Sequence, residues 1–412
     1  MRIFFAGLFA SLWLGTFATD RIVEEFGTAP TYPSINAALA AAEDGDRIII
    51  KNRTGDVPWI ESITVNKSLE FLNYADNGFF VVQGDWTITP ADGRTVVIKG
   101  MRNTSGSILS GTGGTIGSSR LKVLDGQFVN GSIVLTTDAF RADIVGNELL
   151  SGRIRIHLGN VVGNRITFTG GAEALRVTPT TATFQGDTCA VIANMVENQN
   201  NTSTWEGIYV KGEAQVYHIR NNWVRHGWMG IEVQGGNTQG IANLIQNNSI
   251  QSRSGGTGTR YGISIANTTA NSIWEVMNNA VGTLYFGSNR GINKDSGNNG
   301  QINVYYNHVA SGMNPAVSEF TYVANNTTDQ PLTFNADGTF ENAPGAVDGG
   351  NPAAPFHDLD LTIGDAGAYG GSYTLDNFFP LHTGAARVYM TGHPFNLRTG
   401  TTLRVRAHAW DR

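Results

Sequence analysis

The chain is poor in charge. Only 15% of its 412 residues are Asp, Glu, Lys or Arg, where globular chains carry about 25%. The net charge is -6, and no basic cluster offsets it. That argues against nucleic acid or an anionic membrane as the main partner. Cysteine is nearly absent: Cys189 stands alone. One cysteine excludes an intrachain disulfide and argues against a Cys-based zinc site. Beyond the first residues, no stretch approaches the ~20 apolar residues of a membrane-spanning helix.

Hydrophobic residues nevertheless make up 41% of the chain, and there are 51 glycines. Low charge with ample Val, Ile and aromatics does not describe a disordered chain. It describes many short strands joined by tight polar turns. At the start, Arg2 precedes the apolar run Ile3 to Leu14, and small residues follow at Thr16-Phe17-Ala18. This reads as a secretory signal peptide over 1–19 and predicts a secreted or extracellular protein.

Next comes a short amphipathic pattern. Ser34 is a candidate N-cap, Ile35, Leu39 and Ala42 share one face, and Asp44-Gly45 ends the segment before a strand at Arg47 to Lys51. A helix followed by an apolar strand suits the open end of a β-solenoid, which needs a cover.

The middle of the chain repeats one phrase: apolar residues, Asn, a spacer, then another apolar residue. Val161-Val162-Gly163-Asn164-Arg165-Ile166 and Val191-Ile192-Ala193-Asn194-Met195-Val196 are two copies. The marking asparagines are Asn147, Asn164, Asn194, Asn222, Asn248, Asn279, Asn307 and Asn326, at intervals of 17, 30, 28, 26, 31, 28 and 19. Such a period marks a repeat architecture. Segments between the marks, such as Gly207-Ile208-Tyr209-Val210, read as strands. Stacked coils would bring the asparagines about 4.8 Å apart, close enough for a side-chain ladder. Asn also tolerates the left-handed backbone that a bend needs. Longer intervals read as one coil plus an inserted loop, at Glu197 to Trp205 and Ser252 to Thr259, projecting from one side.

Towards the C-terminus, His357 to Gly371 combines an Asp-rich loop with a Gly-Ala-Tyr-Gly-Gly turn. This resembles the closing motif of secreted bacterial β-helix proteins. With the plug and the Asn-marked coils, the chain resembles the pectin-lyase-like family of right-handed parallel β-helix proteins. The resemblance implies an all-β solenoid over 20–374 with an N-terminal capping helix. Residues 375–412 then form a small β extension, two strands resembling part of an immunoglobulin-like unit. The fold is shared by lyases, hydrolases and non-catalytic adhesins, so it does not settle function. Motifs of three family activities are missing. Gln185-Gly186-Asp187-Thr188 only distantly echoes pectin methylesterases. Arg225-His226-Gly227 partly matches one polygalacturonase motif. The central coils hold no tight Asp cluster of the pectate-lyase kind.

What remains is a polar and aromatic concentration in the central coils. Lys211, His226, Arg220 and Glu232 are the candidate catalytic residues, because a Lys, His or Arg base can abstract a proton beside a uronate carboxylate. Trp205, Trp228, Arg225, Arg253 and Tyr261 are candidate substrate-binding residues, with cations for sugar carboxylates and rings for stacking. Alternation places His218 and Arg220 on one face, and stacking would set Lys211 beside Glu232 or Arg225. No resident metal is expected, although the oxygens of His357-Asp358-Leu359-Asp360 and Asp365 would suit calcium. Two readings stand. One is a polysaccharide-binding protein that cleaves its glycan, as a lyase or hydrolase acting on an acidic polymer. The other is a non-catalytic extracellular surface, adhesin or assembly protein, in which homo-oligomers would form. Collection of the patch into one groove favours the first; scattering over several faces favours the second.

Overall fold

The computed structural model describes residues 18–411 apart from 76–77, 201–204, 255–258, 285–289, 296, 311, 315–319, 329–330, 380, 382–385 and 393–405. The expected signal peptide lies almost wholly outside the described residues. The chain is a right-handed parallel β-helix. Three parallel sheets run its length, with thirteen, twelve and eleven strands among the described residues. We call them A, B and C, because each coil visits them in that order.

Inward positions stack in rows. Ile144, Val161, Val191, Ile219, Ile245, Val276 and Val304 are successive register partners in sheet A. Leu149, Ile166, Val196, Val224, Ile250 and Val281 do the same in sheet B. All are buried in one continuous core. β-Branched residues fit such a pleated, two-dimensional stack, and the ladder satisfies the backbone within and between coils.

All eight predicted asparagines join one ladder at the bend from sheet A to sheet B, buried except at its last member, Asn326. Each Nδ2 donates to the next Oδ1, from Asn147 through Asn307 to Asn326, at 2.8–3.0 Å. The left-handed residue, however, is not the ladder asparagine. It is the one before it: Gly146, Gly163, Ala193, Asn221, Asn247, Asn278, Tyr306 and Asn325 all have φ between 52° and 66°. The bend needs one left-handed residue to turn the chain, and the asparagine after it carries the amide of the stack.

The N-terminal end is covered as expected. Helix α1 spans Ile35–Ala41, and Ser34 Oγ accepts from the Ala37 N–H at 3.0 Å. Ile35, Ala38 and Leu39 are buried against the first coil.

The C-terminal region corrects an expectation. The Gly-Ala-Tyr-Gly-Gly turn does not close the last coil. Residues 331–379 form a strap running back along the outside of the bend between sheets A and B. Asn221 Nδ2 donates to the carbonyls of Ala368 and Gly370 at 3.1 and 2.7 Å. Asn247 Nδ2 donates to Asp365 O at 2.9 Å. Ala366, Ala368, Tyr373 and Leu375 bury a second apolar cluster with Leu124, Val162 and Ile192. Within the strap a hairpin pairs Thr333–Phe334 with Phe340–Asn342. Beyond it, Ala386–Gly392 and Arg406–Asp411 pair antiparallel; the loop between them lies largely outside the described residues.

Candidate functional site

A second phrase shapes the outer face of sheet C. Glu206-Gly207-Ile208-Tyr209-Val210, Met229-Gly230-Ile231-Glu232-Val233 and Tyr261-Gly262-Ile263-Ser264-Ile265 occupy equivalent positions on successive coils. The two aliphatic residues of each point into the core. The glycine lies where the strand passes close to sheet B. A Cβ at Gly207 would stand 2.4 Å from Val224 Cγ1, and one at Gly230 would stand 2.3 Å from Ile250 Cγ2. The first and fourth positions of the phrase are then outer ones. They build two rows: Glu206, Met229, Tyr261, and Arg155, Arg176, Tyr209, Glu232, Ser264.

The two rows bring carboxyls together. The Glu206 and Glu232 carboxyls lie close enough to act on one another. Both residues are only 6% exposed. Burial, then the neighbouring Glu232 carboxyl, holds the Glu206 carboxyl well above the usual carboxylate range. Glu206 therefore keeps its proton at neutral pH. Gln234 Nε2 donates to Glu232 Oε1 at 2.6 Å and orients it. Arg176 lies 5.3 Å from the Tyr209 ring centre and donates to Glu173 Oε1 at 2.9 Å. Burial, then the Glu232 charge, pushes the Tyr209 phenol up to about 12.

The predicted patch divides among several faces. Lys211, Glu232 and Tyr261 do lie on sheet C. Lys211 is exposed, and its register partner is Gln234; Tyr209, not Lys211, is the partner of Glu232. Trp205 immediately precedes Glu206 and is half-buried, with its indole nitrogen 3.5 Å from where a Gly171 Cβ would stand. Trp228 is half-buried at the corner between sheets B and C, where its carbonyl accepts from the Tyr261 N–H at 3.1 Å. Arg225 lies on sheet B and Arg253 just beyond the next sheet B strand, Ser249–Ser252, and both donate to Glu197 Oε1.

Two candidate catalytic residues have interior places. His226 is fully buried. Burial, reinforced by the nearby Arg260 charge and offset in part by the Trp228 carbonyl, holds its imidazole down at about 3. It is neutral and out of reach of a polymer. Arg220 is buried under the strap, 4.4 Å from the Tyr373 ring centre. Burial lowers its guanidinium to about 10, with Tyr373 opposing the shift. Its neighbour His218 is half-buried on the same sheet A strand.

The Asp-rich turn does not fit calcium. Asp358 Oδ1 accepts from the Gly371 N–H, Asp360 Oδ1 from the Thr362 N–H at 3.0 Å, and Asp365 Oδ1 from the Asp348 N–H at 2.8 Å. Their oxygens hold the turn, and no cluster of three metal-ligating side chains occurs among the described residues.

Sequence reasoning singled out Glu232 but not its partner Glu206, nor Glu173, Arg176 and Tyr209. The signal was available in the X-Gly-Ile-X repeat, whose outer positions predict this row. No protein-family model matches the chain, and no curated protein does. Fold and site together define a parallel β-helix protein with a pair of neighbouring carboxyls on the outside of one sheet.

Proposed function

We propose that the chain is an extracellular β-helix protein that binds polysaccharide along sheet C and cleaves it at Glu206 and Glu232. The observation that carries this reading is the placing of two carboxyls on adjacent outer rows of sheet C, Glu206 opposite Met229 and Glu232 opposite Tyr209, with Glu206 holding its proton. Such a pair separates acid from base by environment alone. Glu206 is the general acid that protonates the glycosidic oxygen. Glu232, held by Gln234, faces the positive charge that develops on the sugar as the glycosidic C–O bond breaks, and water adds to that carbon to give the new reducing end. Tyr261 and Trp205 offer rings for sugar stacking, while Arg176 and Lys211 offer cations for an acidic polymer. Kinship with the pectin-lyase-like proteins belongs to the same proposal and rests on the fold.

The test is a panel of acidic and neutral polysaccharides assayed for new reducing ends and for unsaturated products. Reducing ends without unsaturation, lost in Glu206→Gln, support hydrolysis. Unsaturated products would replace hydrolysis by elimination at the same face. The burial of Arg220 and His226 and the place of Arg225 on sheet B favour a second reading, a non-catalytic glycan-binding or assembly protein. Wild-type protein that binds a glycan and never cuts it would establish that reading.

A further inference from the structure

A second concavity lies on a different face from the carboxyl pair. It is a shallow, open groove between the outer surface of sheet B and the strap. Its floor is two adjacent rows of the register: Arg165, Met195 and Trp223 in one, Thr167, Glu197 and Arg225 in the other. Its wall is the tip of the strap hairpin, fixed where Trp223 Nε1 donates to the Ala336 carbonyl at 3.1 Å.

The charge here runs against that of the chain. Arg225 and Arg253 share the single carboxylate of Glu197. Arg165 has Glu148 only at 3.8 Å, beyond hydrogen-bond reach, and its side chain is 52% exposed. Three guanidinium groups thus face two carboxylates, in a protein whose net charge is -6. Guanidinium forks match planar or tetrahedral oxyanions. Met195 adds an apolar surface beside them. The floor strands are paired on both sides, so no free edge is present to recruit an extended peptide by strand addition.

We infer that this groove is a second binding site, taking one sugar ring that bears a carboxylate or sulfate, with Arg165 and Arg225 as its anion receptors. It stands independently of cleavage at sheet C. A glycan held here would anchor the protein to a polymer while another segment lies elsewhere.

The experiment titrates the full chain, as Glu206→Gln to prevent turnover, with trigalacturonate, a sulfated disaccharide, maltotriose, inorganic sulfate and hexaglutamate. Calorimetry measures affinity, and the Met195 methyl resonance reports occupancy of the groove. The inference expects trigalacturonate or the sulfated disaccharide to shift Met195. It expects affinity at that site to fall about tenfold or more in Arg165→Ala and in Arg225→Gln, with unchanged melting temperatures. Maltotriose should leave Met195 unmoved. Four results would overturn it: no Met195 shift with either anionic sugar, affinity indifferent to both substitutions, inorganic sulfate binding as tightly as the sugars, or hexaglutamate competing for the groove. A failure of cleavage in the wild-type chain with this binding intact would sink the sheet C reading alone.

Discussion

Both polar atoms of the Asn222 amide have partners on neighbouring coils. Its Nδ2 donates to Asn248 Oδ1 at 2.9 Å and to Val191 O at 2.8 Å, and its Oδ1 accepts from Asn194. Asn222→Ala strands these groups in a buried site, so it should cost about 3 kcal/mol. Asn326→Ala, at the half-buried end of the ladder, should cost less; urea unfolding compares the two. His226 makes a pH prediction. Its folded value lies near 3, below that of the unfolded chain. The unfolded state therefore takes up a proton first as pH falls below about 6.5, and stability drops on that side. His226→Leu should flatten the fall in melting temperature between neutral and mildly acidic pH. Glu206 acts in the opposite direction. Its raised folded value means that the folded state retains a proton the unfolded chain has lost. That contribution is full below the ordinary glutamate range and is lost as pH rises through the folded value. Melting temperature measured towards alkaline pH should fall less in Glu206→Gln than in the parent.

At the scale of elements, the strap is the part that packs from furthest away. Asn221 and the Ala368 carbonyl are 147 positions apart. Tyr373 covers the buried guanidinium of Arg220. Tyr373→Ala removes that cover and should loosen the strap before the coils, seen as faster proteolysis within 331–379 at little change in circular dichroism. The contrast with the coils explains what the sequence made legible. The Asn marks recur because each ladder residue meets its own equivalent one coil away, so a local phrase states a long-range contact. The capping helix was legible for the same local reason, from Ser34 and the Ile35–Leu39 face. The strap was not, because Arg220 and Tyr373 share no repeated pattern. Nor was the place of His226: its strand alternates Val224 and His226 inward, and a histidine at an inward position reads on paper as a candidate base. Glu206 was half legible. The X-Gly-Ile-X phrase carried its position, but the meeting of its carboxyl with that of Glu232 depends on the offset between two outer rows.

At the scale of the whole molecule, the coils stack into one solenoid whose outer faces differ in chemistry. Parallel register holds each outer row in line, so one sheet presents a carboxyl pair and the next a cationic groove. A solenoid suits a polymer ligand because its rows repeat along an axis as the ligand does. None of its described helices is long and apolar enough to cross a membrane. On the proposed reading, Glu206 and Glu232 cut a glycan on sheet C. The most direct measurement is the rate of new chain ends from the polysaccharide panel, for the parent, Glu206→Gln and Glu232→Gln at matched folding. The account predicts cleavage by the parent, at least a 100-fold loss in each variant, and a parent rate that declines as Glu206 gives up its proton at alkaline pH. Cleavage by the parent that survives in both variants would contradict it.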